Sequence, residues 1–427
     1  MGLLSLGRGR RRLLPLRLET TLVDSVSGRL RDDGHVVHRP DRTHHVNRLP
    51  RGNVRGLLVA ETRLLIRVMK NFLRSIVTFL ALVFCVNVGA QIANALPQKI
   101  PASDSHFRYD GRFDFSNSNA PIVIWQASRI RIDFSGNAVG LIFDGATGQN
   151  FFNAQVDGTN IIVTANEGMP AAPFLLSGFG NGRHHLILFK RSEAAAGTVR
   201  FLGIEIAANA RTWRPPAPHY KLAMEFIGDS ITVGACDEDG ASDQWTNRLT
   251  HDCAMSYATL TANAFAADDR NIAVSGMGIV TGWVPTRAGE IWDRLYPATN
   301  SARANLRAWI PNLVFLNFGE NDDSYSRAHG QSFPTNFAAG YVSLVSAIRR
   351  AYPAAEIVLL RGGMSGGAQS KPLRLAWENA VKQIEANDPR ASHFVFKHWT
   401  ANHPRVTDDR ILADELIVWL KQQKFMQ

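Results

Sequence analysis

Glu225-Phe-Ile-Gly-Asp-Ser-Ile-Thr232 decides how the second half of this 427-residue chain is read. Apolar residues run into Gly228, where the chain is free to turn sharply. Asp229 is a natural helix cap. Ser230 then lands on a turn leading towards a helix, with an exposed hydroxyl and an N–H free to bind an anion. Taken alone, Asp-Ser at a helix start is equally a simple cap. Working outward, apolar strands are expected at 222–227, 271–274, 313–318, 356–360 and 394–397. Helical stretches are expected at 257–267, 337–351, 372–386 and 408–421. Strands alternating with amphipathic helices predict an α/β domain: a five-stranded parallel sheet covered on both faces. Function then belongs at the carboxyl ends of the strands.

Three further strand ends carry polar groups. Asn271-Ile-Ala-Val-Ser-Gly-Met-Gly278 offers a backbone N–H at Gly276 or Gly278. Asn317-Phe-Gly-Glu-Asn-Asp322 offers the side-chain amide of Asn321. Trp399-Thr-Ala-Asn-His-Pro404 offers His403 as a base. Each piece alone is a routine turn or loop. Together, a serine, a base and oxyanion donors on one face are the minimal equipment for acyl transfer. Trp283 and Trp399 are placed to stack on sugar faces, or else to pack in the core. Gly363-Met-Ser-Gly-Gly367 matches G-x-S-x-G, but its glycines and Pro372 read as a flexible loop. No P-loop, H-E-x-x-H or dinucleotide fingerprint is present, so neither cofactor nor metal is expected.

Ahead of this domain, residues 100–212 hold short alternating runs punctuated by Gly, Asn, Asp and Pro. They predict an all-β sandwich of jelly-roll type. Pro-rich 213–220 reads as a stiff linker to a domain at 221–427. The net charge of +10 invites a nucleic-acid reading, but its distribution removes it. All the excess lies before residue 96; residues 96–427 hold 31 basic and 31 acidic side chains. Residues 1–68 read as a basic leader absent from the mature protein. Residues 69–95 read as a signal peptide: Lys70 and Arg74, the apolar run 76–88, then small residues. That run is short for a bilayer, so no stable membrane anchor is expected. A secreted or periplasmic protein follows. Cys236 and Cys253 are then free to pair, closing a loop of about 17 residues worth roughly 3 kcal/mol.

The order Gly228-Asp229-Ser230, Gly276, Gly319-Glu320-Asn321-Asp322 and His403-Pro404 resembles the SGNH (GDSL-type) hydrolase superfamily. The resemblance covers 221–427. It implies a flavodoxin-like sheet, Ser230 as nucleophile and His403 as base. It also implies an oxyanion hole from the Ser230 N–H, the Gly276 N–H and the Asn321 side chain. Asp229 and Gly278, with the two tryptophans, are the candidates to line the substrate site. The preceding sandwich, with Phe226-Ile-Gly-Asp-Ser-Ile-Thr232 and Ser275-Gly-Met-Gly-Ile279, is similar to carbohydrate esterase family two. That likeness implies a secreted acetyl esterase acting on acetylated polysaccharides or oligosaccharides. A lipase or thioesterase of the same superfamily, and a non-catalytic carbohydrate-binding protein, are the alternatives. One departure stands out. The superfamily carries Asp three, or in some members two, residues before the histidine; here those positions are Thr400 and Ala401. A Ser230–His403 dyad is therefore expected, its ring oriented by a backbone carbonyl or water. Asp322 or Asp408 is the rival acid.

Overall fold

The computed structural model describes residues 96–170 and 172–426. The leader and signal-peptide readings of 1–68 and 69–95 lie outside the described residues.

The N-terminal region is a sandwich of two six-stranded antiparallel sheets. Its long strands follow the alternation in the sequence. In Gly197–Ile206, Val199, Phe201 and Ile204 turn inward, while Thr198 and Arg200 point away. The inward residues meet Phe134, Leu141 and Phe152 of other strands in one apolar core. Both predicted edges move by a few residues. Gln98–Pro101 already pairs with Gly197–Ile206. Thr212–Trp213 pairs with Phe134 and Asp133, so Trp213 is strand, not linker.

Beyond the linker lie five parallel strands: Leu222–Gly228, Ala267–Ala273, Leu313–Asn317, Glu356–Met364 and Ala391–Thr400. Numbered in chain order, they lie 2-1-3-4-5 across the sheet. That order reverses beside the first strand, which opens a crevice at its carboxyl end. Helices Phe337–Ala351 and Lys371–Asn387 pack on one face of the sheet. Tyr257–Ala264 and Val406–Lys421 pack on the other, where Phe226 and Phe315 stack at 4.5 Å. Gly363-Met-Ser-Gly-Gly367 is not the expected loop: the fourth strand runs to Met364 and a short helix, Ser365–Gln369, follows at once. Among the described residues, no helix is long and apolar enough to cross a membrane.

The sandwich is fastened to the sheet domain by buried groups. Trp125, from the sandwich part of the sequence, belongs to the apolar core of the sheet domain, and its Nε1–H donates to Leu295 O. Gln126 Nε2 donates to Asn271 Oδ1 and Ala273 O, both at 2.9 Å. Arg112 pairs with Glu225 at 3.1 Å and Arg129 with Asp269 at 2.6 Å, all four buried.

Candidate active site

Ser230 opens the four-residue helix Ser230–Val233 directly after the first strand. Asp229 caps it, accepting from the Ile231 N–H at 3.1 Å. Gly228 is required by close approach: a Cβ there would lie 2.1 Å from Thr232 Oγ1. As the first residue of its helix, Ser230 has no intrahelical acceptor for its own N–H.

His403 sits in the loop between the fifth strand and the last helix. Its Nε2 lies 2.8 Å from Ser230 Oγ. Its Nδ1 lies 2.6 Å from Asp243 Oδ2. A carboxylate only accepts, so Nδ1 carries the proton and Nε2 presents its lone pair to the serine. The expected carbonyl or water is thus corrected: a carboxylate orients the ring. Neither rival acid is the one. Asp322 accepts from the N–H groups of Ile279, Val280 and Thr281, and Asp408 from the N–H of Arg405 while facing His398.

Asp243 lies 160 residues before the histidine, in the segment that follows helix Ser230–Val233. Hydrogen bonds stitch that segment to the His403 loop. Arg405 donates to Gly240 O and Cys236 O and pairs with Asp243 Oδ1 at 2.9 Å. Asn402 donates to Ala241 O. Burial alone would raise the Asp243 carboxyl. Bonds from the His403 ring and N–H and from Arg405 outweigh it and hold the group well below the usual carboxylate range.

The second strand end supplies Gly276, at φ +81°. Its carbonyl accepts from the Trp283 N–H at 2.8 Å. Among the described residues, no acceptor takes its N–H. Asp322 fixes the rest of this turn. Gly278 packs against it, where a Cβ would fall 2.6 Å from Asp322 Oδ2. Gly278 therefore shapes the turn and does not line the site. Asn321, at the start of helix Glu320–Ala328, does line it. Its Nδ2 donates to Asp229 Oδ2 and Met277 O, each at 3.1 Å. An oxyanion can take an Asn321 hydrogen only by sharing it with one of these acceptors. Asp229 is buried beneath the site. Desolvation pushes its carboxyl well above the usual range, aided by Glu320 and Asp322 and opposed by Ile231 N–H and Asn321.

These groups face a cavity of about 380 Å³. Trp283 lines it, half exposed, its Nε1–H bonded to Ser324 Oγ at 3.0 Å. Trp245 also lines it, edge-on to His403 at 5.0 Å between ring centres. Trp399 lies on the fifth strand away from the cavity, so Trp245 takes the place expected of it. Ser365 opens its helix in a separate cavity, where the N–H groups of Gly366 and Gly367 bind Glu320. Among the described residues, no histidine lines that cavity.

Cys236 and Cys253 do not pair. Both are free, buried thiols in separate apolar clusters. Cys236 does fall within ligand distance of Asp239 and His251, and of Asp243 and His403, a grouping the sequence spacing concealed. The carboxylates and rings in these sets already have protein partners: Asp239 holds Thr250 and Gln244, and His403 holds Ser230.

Comparison with known proteins bears on the two domains. Residues 109–216 match the carbohydrate esterase 2 N-terminal family, and residues 226–414 match the GDSL-like lipase/acylhydrolase family. Cellulase/esterase CelE of Acetivibrio thermocellus is 31% identical over 326 residues, which are 74% of this chain and 39% of that protein. The chain thus spans well under half of that relative. An acetylxylan esterase / glucomannan deacetylase of Cellvibrio japonicus is 29% identical over 332 residues, 72% of this chain and 88% of that one. A solved family two carbohydrate esterase from Clostridium thermocellum, in complex with cellohexaose, superposes with a TM-score of 0.66. It is 29% identical, with 74% of this chain and 98% of that one covered. Residues 226–414 thus form a domain of the GDSL-like lipase/acylhydrolase kind, and the chain is built like the family two carbohydrate esterases.

Proposed function

We propose that this chain is a carboxylic ester hydrolase that removes acetyl groups from polysaccharides or oligosaccharides. The observation that carries it is the relay Ser230–His403–Asp243, with contacts of 2.8 Å and 2.6 Å. Ser230 Oγ attacks the ester carbonyl while His403 Nε2 takes its proton. Asp243 stabilises the imidazolium that forms. The N–H groups of Ser230 and Gly276 hold the oxyanion, with Asn321 as a shared third donor. His403 returns the proton to the departing sugar oxygen. Water then attacks the acyl-enzyme with His403 again as base, and acetate leaves.

Substrate class rests on two supports. The cavity is small, and Trp245 and Trp283 flank it with partly exposed rings. The relatives' names, acetylxylan esterase / glucomannan deacetylase among them, point the same way. Export through the 69–95 segment belongs to the same proposal, and N-terminal sequencing of the secreted form tests it. The activity test compares acetate release from acetylated xylan or glucomannan with hydrolysis of long-chain p-nitrophenyl esters. Wild type is expected to release acetate, and Ser230→Ala to lose about 10⁴-fold or more. Unchanged activity in Ser230→Ala overturns the nucleophile. A preference for long-chain esters favours a lipase, and binding without turnover a carbohydrate-binding protein.

A further inference from the structure

We infer that Glu193, a carboxylate of the β-sandwich, is a positioning residue of the active site: it sets the turn that presents the Gly276 N–H and ties that turn to Arg248, a second residue lining the cavity. This rests on the esterase reading above. Glu193 lies in the connection between strands Arg183–Lys190 and Gly197–Ile206, and is 1% exposed. One carboxylate oxygen accepts from the Ser275 N–H at 2.9 Å. The other lies 3.4 Å from Arg248 Nη1. Ser275 immediately precedes Gly276. Arg248 also lines the cavity, its guanidinium over the Trp245 ring at 4.7 Å. One side chain from the other domain thus holds two parts of the cavity lining.

The geometry explains why an outside restraint is needed here. Gly276 at φ +81° has no side chain to limit its rotation. Downstream the turn is held by Asp322 and by the Trp283 N–H on Gly276 O. Upstream, the Val274 N–H is held by Gly228 O, and Glu193 holds the Ser275 N–H next to Gly276. Its own segment is fixed in turn, since the Ala194 N–H donates to Gln126 Oε1 and Gln126 grips Ala273 O. The peptide carrying the Gly276 N–H is therefore clamped from both ends. A donor displaced by about 1 Å forfeits on the order of 10²-fold in rate.

Two conservative variants separate reach from charge. Glu193→Gln keeps an acceptor at the same distance and removes the charge. Glu193→Asp keeps the charge and withdraws it by one methylene. Each is measured in the full chain with p-nitrophenyl acetate, as kcat per active site titrated with a serine-directed phosphonate. Titration counts only folded sites, so a merely structural role leaves kcat per site unmoved. Glu193→Gln is expected within about fivefold of wild type. Glu193→Asp is expected to lose about 10²-fold in kcat with KM little changed, and to bind a boronate that mimics the tetrahedral intermediate correspondingly more weakly. The inference is overturned if Glu193→Asp matches wild type per site, or if Glu193→Gln falls as far as Glu193→Asp. Ser230→Ala is assayed alongside: its retained activity sinks the esterase reading, whereas its loss with normal Glu193→Asp sinks only this inference.

Discussion

The sandwich and the sheet domain meet with opposite charge. The sandwich contributes guanidinium groups, those of Arg112, Arg129 and Arg191. The sheet domain contributes the carboxylates Glu225, Asp269 and Glu238 that receive them. At the active site the polarity is reversed. There the sandwich gives Glu193, and the sheet domain answers with Arg248 and a backbone N–H. The difference teaches that the interface has two tasks. The arginine pairs fasten; the reversed pair shapes the site.

The largest expected effect belongs to the sheet domain alone. His403→Ala and Asp243→Asn are each expected to lower kcat by about 10⁴-fold while the folded structure is retained, as read by steady-state rates and circular dichroism. Asp243→Asn leaves the ring without its carboxylate, and activity near wild type would restore the dyad.

Next comes fastening. Arg129→Met leaves Asp269 buried without its partner, which costs about 3–5 kcal/mol of stability in denaturant titrations. Activity per folded molecule should hold. A large kcat loss there would erase the distinction between fastening and shaping.

A pH effect also separates the regions. Burial pushes the Lys190 amine down to about 7 from its ordinary 10.5, against the pull of Glu193. Between those two values the unfolded chain holds a proton that the folded one has released. Stability should therefore rise with pH from about 7 towards 10.5, and be lost as pH falls through about 7. Thermal melts across that window show the rise in wild type, and Lys190→Met flattens it. The smallest effect is at the cavity mouth. Trp245→Ala and Trp283→Ala are each expected to raise KM for glycan esters about 3- to 10-fold, with p-nitrophenyl acetate less affected. Equal losses on both substrates would make these rings structural.

The parallel sheet was legible because its three central strands are mostly apolar runs and its helices keep their periodicity; the edge strands Ala267–Ala273 and Ala391–Thr400 carry charged and polar residues, so only their apolar parts near 271–274 and 394–397 showed. Helix 337–351 matches Phe337–Ala351 residue for residue. Strands of two to four residues, such as Phe113–Asp114 and Phe174–Ser177, are too short to show alternation. The proposed nucleophile and base stood out by their strand-end positions. Asp243 did not, since its segment has no period and its contact with His403 spans 160 residues. The available signal was chemical: five acids crowd 235–255 just after Ser230, while the usual position before the histidine holds none. Trp399 misled because nearness in sequence to His403 is not nearness in space. Glu193 carried no local mark at all, being one acid in a connection of the other domain.

The buried arginine pairs have a consequence for ancestry. A recombination falling in the linker before Leu222 would hand a new partner a sheet with Glu225 and Asp269 facing inward and unanswered. The two domains can therefore be inherited together, or altered in step at both faces, but not exchanged one at a time like beads on a string.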